Sequence, residues 1–291
     1  MTAADTRIDF QKYTAGGNDY LVLDEETWGG PLTPDAVRLL CDRRFGIGAD
    51  GILQRRPAPP DGPYPVRIYN SDGSACERSG NGLRIFAQWL RDTGVTARDR
   101  FPVHCRAGTS AVEFHDDASL SVEMGTASHR PDDIGLTDPA VPGGRHRLPT
   151  SAGDLDVTTL SLGNPHTVVF SDLPPDAVHR LGHEIATHPL FRHGTNVQFV
   201  TGIAPDALAI EVWERGAGRT LASGASACAA ATAALARGLV RAPVTVRMAG
   251  GEVTVLLRDG AVVWQRGSAH RVFAGAIDRA YATGDAKEGA R

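Results

Sequence analysis

Two stretches of this chain share one pattern and decide its fold. Residues 79–90 read SGNGLRIFAQWL, and residues 223–235 read SGASACAAATAAL. In each stretch a serine and a glycine precede a run of apolar residues, which is typical of the start of a buried helix. Ser79 and Ser223 lie 144 residues apart (223 − 79), about half of the 291 residues in the chain. Similar turns at this spacing indicate a duplicated structural unit.

Other residues repeat at nearly the same offset. The further pairs, at an offset of 146 or 144 residues, are Asn18 with Asn164, Phe45 with Phe191, Asp50 with Asn196, and Asn70 with Glu214. Each half combines short strands with one long apolar helix, so we predict an α+β fold in which each half is a sheet wrapped around a central helix. The expected domains are residues 1–127 and 128–274, with residues 275–291 returning to the first domain. Halves related in this way usually leave a cleft between them, and the paired turns are expected to face each other across it.

The patterns of apolar and turn-forming residues predict the individual elements. The expected strands are 21–23, 66–69, 103–105, 119–124, 159–162, 167–170, 196–201 and 208–213, with three more starting at Val244, Val253 and Val262. The expected helices are 34–41 behind a Thr33 cap, 80–92, 175–185 and 224–238. Residues 126–154 are rich in proline, glycine and histidine and are predicted to be a connector. The tail from 284 to 291 is predicted to fray.

Composition and charge exclude several classes of function. The formal net charge is −4 and no basic block occurs, so we expect no nucleic-acid partner. No apolar run is long enough to cross a bilayer, and the start of the chain lacks the apolar region of a signal peptide. The four cysteines show neither metal-ligand spacing nor the density of a disulfide framework. We therefore expect a cytoplasmic protein without a metal site or membrane partner, and a homodimer is compatible with all of this.

The two Ser-Gly turns are candidate sites for an anion. The first N–H groups of a helix have no partner within it, and the helix dipole adds about half a positive charge there. Glycine at the turn lets a ligand come close to the backbone, so Gly80, Asn81, Gly224 and Ala225 could offer N–H groups to a carboxylate. The simpler interpretation is that both serines are ordinary helix N-caps.

Eight short motifs make the chain similar to the diaminopimelate epimerase family. They are NDY at 18–20, FGIGADG at 45–51, YNSDGS at 69–74, GNG at 80–82, VEMG at 122–125, GNPH at 163–166, GTNV at 194–197 and ERGAG at 214–218. The resemblance runs in order from about Phe10 to Gly275. It implies two pseudo-symmetric domains and a site that works without a cofactor.

The departures from the family pattern are as informative as the match. The family places a cysteine before each glycine-rich turn, and one thiol removes the α-proton while the other returns a proton to the opposite face. Here both positions are serine, Ser79 and Ser223. A serine hydroxyl is far less acidic than a thiol and, unaided, is a poor base for the α-proton of an amino acid. Cys76 and Cys228 lie out of register with the glycines and are predicted to be core thiols. Ala186, Arg219 and Ala225 also differ from the family pattern, so simple epimerisation of diaminopimelate is not expected.

The resemblance assigns roles to the residues that remain. His166 and Glu214 match the family residues that activate the cysteines, and either type of side chain can carry a proton by itself. The matches to the family's substrate contacts are Asn18, Asn70, Asn164, Asn196 and Arg215. Arginine suits a carboxylate because it can bind it with two parallel hydrogen bonds. We therefore expect a small amino-acid-like carboxylate as substrate.

Three functions are compatible with these residues. The first is a cofactor-independent isomerase that shifts a double bond by a 1,3-proton transfer, with His166 or Glu214 as the base. By resemblance to cofactor-independent isomerases that share the epimerase fold, such an enzyme would belong to secondary metabolism, for example antibiotic biosynthesis, and could act on a proline-like intermediate. The second is a racemase or epimerase that works through Ser79 and Ser223. The third is a protein that binds an amino acid without turning it over.

Overall fold

A computed structural model describes residues 6–59, 62–138, 140–141, 143–174 and 177–284 of the chain. Strands outnumber helices, so the predicted α+β class is confirmed. Two compact units divide the chain. The first runs to Leu120 and resumes at Ser268, and the second is Ser121–Gly267. The domain limits expected from the sequence, at 127/128 and 274/275, stay a prediction.

Along both units the strands come in groups of two or more, with helices between the groups. The strands are β1 (Arg7–Ala15), β2 (Asn18–Asp24), β3 (Gly51–Arg55), β4 (Tyr64–Asn70), β5 (Ala75–Cys76), β6 (Arg100–Cys105), β7 (Gly108–Phe114), β8 (Leu120–Thr126), β9 (Gly144–Thr150), β10 (Gly153–Ser161), β11 (Pro165–Val169), β12 (Asn196–Ala204), β13 (Ala207–Glu214), β14 (Gly218–Thr220), β15 (Val244–Met248), β16 (Gly251–Arg258), β17 (Val262–Gly267) and β18 (His270–Asp278). The helices are α1 (Glu25–Trp28), α2 (Pro34–Cys41), α3 (Gly80–Asp92), α4 (Pro131–Ile134), α5 (Ala177–Ala186), α6 (Gly224–Ala236) and α7 (Arg279–Thr283).

Strand pairing follows the same plan in both units. In the first unit the order is β18, β1, β2, β3, β4, β6, β7, with β2–β3 and β4–β6 parallel and the other pairs antiparallel. In the second unit the order is β9, β10, β11, β12, β13, β15, β16, β17, with β11–β12 and β13–β15 parallel. A short strand, β5 or β14, adds to β4 or β13 in the corresponding place. The predicted duplication is therefore present in strand order and direction.

Each unit is built on one buried helix. In the first unit α3 packs against β1, β2 and β18, and Leu83, Ile85, Phe86 and Leu90 are fully buried. Full burial of one such side chain contributes about 1.5–3 kcal/mol to stability. In the second unit α6 packs against β10 to β13 and β15 to β17, and its core-facing residues are mainly alanines. Small side chains let the strands come close to this helix on several sides.

The sequence predicts the limits of three helices accurately. The structure has α2 and α3 at the predicted limits, and Thr33 caps α2 by accepting a hydrogen bond from Ala36 N. The third, α6, ends at Ala236, two residues before the predicted end at Gly238. The predicted helix 175–185 appears as α5, although Pro175 and Asp176 lie outside the described residues. The predicted frayed tail, from 285 onward, also lies outside them.

The predicted connector at 126–154 is wrong. This segment contains α4 and β9, and β10 already begins within it at Gly153. Only Leu148 is buried in β9, because the other side of the strand carries basic residues and Pro149. One buried residue leaves no period-2 signal in the sequence, so the strand could not be recognised. Among the described residues, no helix has the length and apolar character that crossing a membrane requires.

Candidate active site

Most of the residues predicted to form the site lie in two clusters, one in each unit, together with other polar side chains. The first cluster surrounds the start of α3 and consists of Ser79, Asn81, Asn18, Tyr20, Asp50 and Arg84. The second cluster surrounds the start of α6 and consists of Ser223, Ser226, His166, Asn164, Gln198, Asn196, Glu214 and Arg215. Each cluster combines a helix N-terminus with residues at the ends of neighbouring strands.

Ser79 is the N-cap of α3. Its backbone is extended (φ −129°, ψ 117°), and its Oγ accepts a hydrogen bond from Gly82 N at 3.0 Å. The hydroxyl of Tyr20 lies 3.1 Å from the same Oγ. A Cβ at position 82 would come within 3.1 Å of Ser79 Oγ, so glycine allows this close approach. Within its own described unit, no carboxylate, imidazole or amine is hydrogen-bonded to the Ser79 hydroxyl.

Ser223 caps α6 with the same backbone conformation (φ −150°, ψ 120°). Its Oγ accepts from Ser226 N at 3.4 Å, a longer hydrogen bond than the one in the first unit. Ser226 stands where the first unit has Gly82 (226 − 82 = 144). In the described second unit this is the only hydrogen bond of the Ser223 hydroxyl, so no base is bonded to it there.

A chain of polar side chains fixes Asn18 in the first cluster. Asn81 Nδ2 donates to Asn18 Oδ1 at 2.8 Å, and Asn18 Nδ2 donates to Asp50 Oδ2 at 3.1 Å. Arg84, which is only 1% exposed, donates to Asn81 Oδ1 at the other end of this row of hydrogen-bonded side chains. Arginine can only donate and a carboxylate can only accept, so the orientation of both amides is determined.

Charged residues surround this chain on one side. Asp19 pairs with Lys12 at 2.8 Å and with Arg43 at 2.7 Å, and Arg43 also pairs with Asp50 at 2.9 Å. Although burial opposes it, the hydrogen bonds from Arg43 and Lys12 hold the pKa of Asp19 below its usual value. Asp19 therefore stays ionised at neutral pH and holds these two cations in place.

His166 is the most buried titratable residue of the second cluster. It is the last residue of the GNPH motif, lies on β11 and is 1% exposed. Its Nε2 lies 2.8 Å from Asn164 Oδ1, and its Nδ1 lies 3.1 Å from Gln198 Nε2. Burial, together with the charge of Arg215, lowers the pKa of His166 from 6.5 to about 3. The imidazole is therefore neutral at physiological pH.

The remaining residues of the second cluster occupy adjacent strand ends. Asn196 Oδ1 accepts from Arg215 N at 3.2 Å, and Asn196 Nδ2 donates to the Pro165 carbonyl at 3.2 Å. Glu214 is half-buried at the end of β13, and the exposed Arg215 follows it. Arg215 Nη1 donates to the His193 carbonyl at 3.3 Å.

The structure brings some predicted residues together and separates others. Asn18 joins Asn81, and Asn164 joins His166. In contrast, the amide of Asn70 donates to Ser74 Oγ at 2.9 Å within its own turn. Gly80, Asn81, Gly224 and Ala225 do lie in the first turns of α3 and α6, where backbone N–H groups lack helical partners. Among the described residues, no group of three or more His, Cys, Asp or Glu side chains could hold a metal ion.

Sequence reasoning missed Tyr20, Arg84, Gln198 and Ser226. Tyr20 could have been found, because it lies at the same position of the repeat as His166 (166 − 20 = 146). Arg84 and Gln198 are single polar residues between apolar neighbours, which leaves no other signal. Ser226 lies in the second Ser-Gly turn, where its counterpart in the repeat is Gly82. Of the two cysteines predicted to be core thiols, Cys228 is fully buried, but Cys76 is half-buried on β5. The prediction for Cys76 is wrong because β5 has only two residues and covers one edge of β4.

Comparisons with known proteins identify the family to which the chain is similar. The model of the family Diaminopimelate epimerase matches residues 10–130 and 158–272. A diaminopimelate epimerase from Synechococcus elongatus (strain ATCC 33912 / PCC 7942 / FACHB-805) is 36% identical over 277 residues, which cover 94% of this chain and 99% of the relative.

Two solved structures share the fold at low sequence identity. A hydroxyproline epimerase from Agrobacterium vitis with bound trans-4-hydroxy-L-proline matches with a TM-score of 0.66 and 15% identity, covering 94% of this chain and 93% of the other. A methylitaconate-delta-isomerase matches with a TM-score of 0.60 and 16% identity, covering 95% and 97%. The fold and the relatives define an isomerase. The chain belongs to the diaminopimelate epimerase family.

Proposed function

We propose that this protein is a cofactor-independent isomerase that catalyses a 1,3-proton shift on a small amino-acid-like carboxylate, with a double bond changing position. The observation that carries the proposal is the state of the two serines. Ser79 and Ser223 both act as helix N-caps, and within its own described unit neither hydroxyl is bonded to a base. A serine without a base cannot abstract the α-proton of a saturated amino acid at a useful rate.

A substrate with a double bond next to the reacting carbon needs a weaker base. In a 1,3-shift the base takes a proton from the first carbon, and the electron pair of that C–H bond becomes the new double bond. The old double bond supplies the electrons for a C–H bond at the third carbon, where the proton is returned. The negative charge of the intermediate spreads over the unsaturated system, so the first proton is more acidic than that of a saturated amino acid. The reaction needs neither a thiol nor a cofactor.

Glu214 is the residue best suited to carry the proton. The pKa of His166 is lowered to about 3, and both of its ring nitrogens are already hydrogen-bonded. With the ring neutral and both nitrogens engaged by protein groups, neither nitrogen is open to take a proton from a substrate, so His166 is a poor carrier. Glu214 is half-buried and ends a strand beside Arg215, a position from which a carboxylate can reach a ligand. We therefore assign the proton transfer to Glu214 and a supporting role to His166.

Substrate binding in this proposal relies on three kinds of group. The N–H groups at the starts of α3 and α6 suit a carboxylate, because both helices are long and their first N–H groups lack helical partners. The guanidinium of Arg215 is exposed and able to form paired hydrogen bonds with a carboxylate. The carboxamides of Asn18, Asn164 and Asn196 supply the remaining polar contacts. A cyclic, proline-like intermediate of secondary metabolism fits this set of groups.

The test uses 3,4-dehydro-L-proline in D₂O without any cofactor. The expected reaction moves the double bond next to the carboxylate, which changes the ultraviolet absorbance, and places deuterium at C4. Glu214→Gln should lower kcat by about 10²–10⁴-fold, the usual contribution of a general acid or base. Ser79→Ala and Ser223→Ala should lower it far less and serve as matched controls. The proposal fails if either serine is indispensable while Glu214→Gln keeps its activity.

A further inference from the structure

Gln198 is a fully buried amide at the centre of the second cluster. It lies on β12, one strand away from His166, and has no exposed surface. Its Nε2 is 3.1 Å from His166 Nδ1 and 3.0 Å from Ser226 Oγ. Both hydrogens of one amide nitrogen are therefore used. The Gln198 Oε1 has no hydrogen-bond partner among the described residues, which is an unfavourable state for a buried oxygen.

The direction of these hydrogen bonds determines the tautomer of His166. An amide nitrogen can only donate, so His166 Nδ1 must accept and carries no hydrogen. The neutral ring then has its hydrogen on Nε2, which donates to Asn164 Oδ1 at 2.8 Å. With its oxygen occupied, Asn164 has its amide nitrogen left for a ligand. That nitrogen makes no hydrogen bond within the described residues, and it can only donate.

The first unit supports this direction independently. Asn18, the counterpart of Asn164 in the repeat, also accepts an N–H at Oδ1, from Asn81 at 2.8 Å. There the direction of the Asn81–Asn18 hydrogen bond is unambiguous: Arg84 can only donate, so it occupies Asn81 Oδ1 and leaves Asn81 Nδ2 to donate to Asn18. The two asparagines thus receive the same hydrogen bond from unrelated side chains, an amide in one unit and an imidazole in the other.

We infer that Gln198 is a positioning residue of this isomerase: it holds His166 in the Nε2–H tautomer and thereby fixes Asn164 as a hydrogen-bond donor to the substrate carboxylate. This inference rests on the proposed function for the identity of the ligand group. The tautomer and its dependence on Gln198 do not depend on that proposal. Gln198 itself does not touch the substrate.

The first experiment measures the tautomer directly. In protein labelled with ¹⁵N-histidine, two-dimensional ¹H–¹⁵N correlation through the ring distinguishes Nε2–H from Nδ1–H, and the His166→Asn variant assigns the signal. The wild type should show Nε2–H. Gln198→Glu replaces the donor by an acceptor, so the hydrogen should move to Nδ1. Gln265→Met is the matched control, because Gln265 is equally buried in the same unit but bonds to Met124 instead of His166.

The second experiment measures the effect on ligand binding. Gln198→Glu should raise both the Kd for 3,4-dehydro-L-proline and its KM by about tenfold, the loss expected for one hydrogen bond to a charged group, with little change in kcat. Gln265→Met should change none of these quantities. Isosteric Gln198→Met provides a second variant if Gln198→Glu does not fold, and it should weaken binding in the same way.

The possible results separate this inference from the proposed function. An Nδ1–H tautomer in the wild type overturns the inference, whatever the activity. A tautomer that moves in Gln198→Glu without any change in ligand affinity also overturns it. If the tautomer moves and the affinity falls but no double-bond shift is seen, the positioning role is supported and the proposed reaction is refuted.

Discussion

Acidification should weaken the second unit through His166 before it weakens the first. The folded chain lowers the pKa of this histidine from 6.5 to about 3, whereas the unfolded chain keeps the ordinary value. Between these two values the unfolded state binds more protons than the folded state, so stability falls as pH falls. The contribution of His166 to stability is therefore greatest above pH 6.5 and declines toward pH 3. From pH 7 to pH 5 the loss is about 2 kcal/mol, since each pH unit below 6.5 costs about 1.4 kcal/mol.

The assay is hydrogen exchange followed by mass spectrometry at both pH values, corrected for the intrinsic exchange rates. Between pH 7 and pH 5, the free energy of opening of peptides from the second unit should fall by about 2 kcal/mol more in the wild type than in His166→Gln. The variant lacks the titrating group. Comparison with this variant removes the contributions of the carboxylates. Peptides from the first unit are an internal control and should respond equally in both proteins. Equal responses of the second unit in both proteins would refute the reasoning, because His166 would then titrate normally or be accessible to solvent.

Three further outcomes follow from single contacts. Arg215→Met should raise KM at least tenfold with a smaller effect on kcat, because it removes a partner of the substrate carboxylate; an unchanged KM would contradict that role. Ser79→Ala should lower the free energy of unfolding by about 1 kcal/mol in denaturant titrations, and Ser223→Ala by less, because its cap hydrogen bond is longer. Burial raises the pKa of Cys41 to about 12, so iodoacetamide at pH 8 should label Cys76 and leave Cys41 unmodified; the reverse order would contradict the burial of Cys41.

Local signals explain how much of the fold the sequence predicts. The helices α2 and α3 were found to the residue because Thr33 and Ser79 are strong N-caps that precede apolar runs. The duplication was visible because both copies keep a serine and a glycine at the start of the long helix. In contrast, β9 and β18 went unrecognised, since most of their side chains are exposed and no alternating pattern remains.

The candidate site was predictable only as a set of residues. The repeat indicated Asn18 and Asn164 as equivalent, and the structure gives both the same hydrogen bond at Oδ1. The sequence could not reveal the burial of His166, because the residues that enclose it come from several different strands. Gln198 was invisible for the same reason: its two partners lie on β11 and α6, far from it in the chain. Burial and partners of this kind depend on the tertiary structure and decide which residue can carry a proton.

Deuterium incorporation into L,L-diaminopimelate tests the central claim most directly, because that claim is that the two serines do not take over the work of the family's thiols. The purified protein is incubated with this substrate in D₂O, and deuterium at the α-carbon is followed by mass spectrometry. The diaminopimelate epimerase of Synechococcus elongatus, which is 36% identical over 277 residues, serves as the positive control. We predict rapid exchange with the control enzyme and none above background with this protein. Rapid exchange at an α-carbon would contradict the account and show that Ser79 and Ser223 suffice for epimerisation.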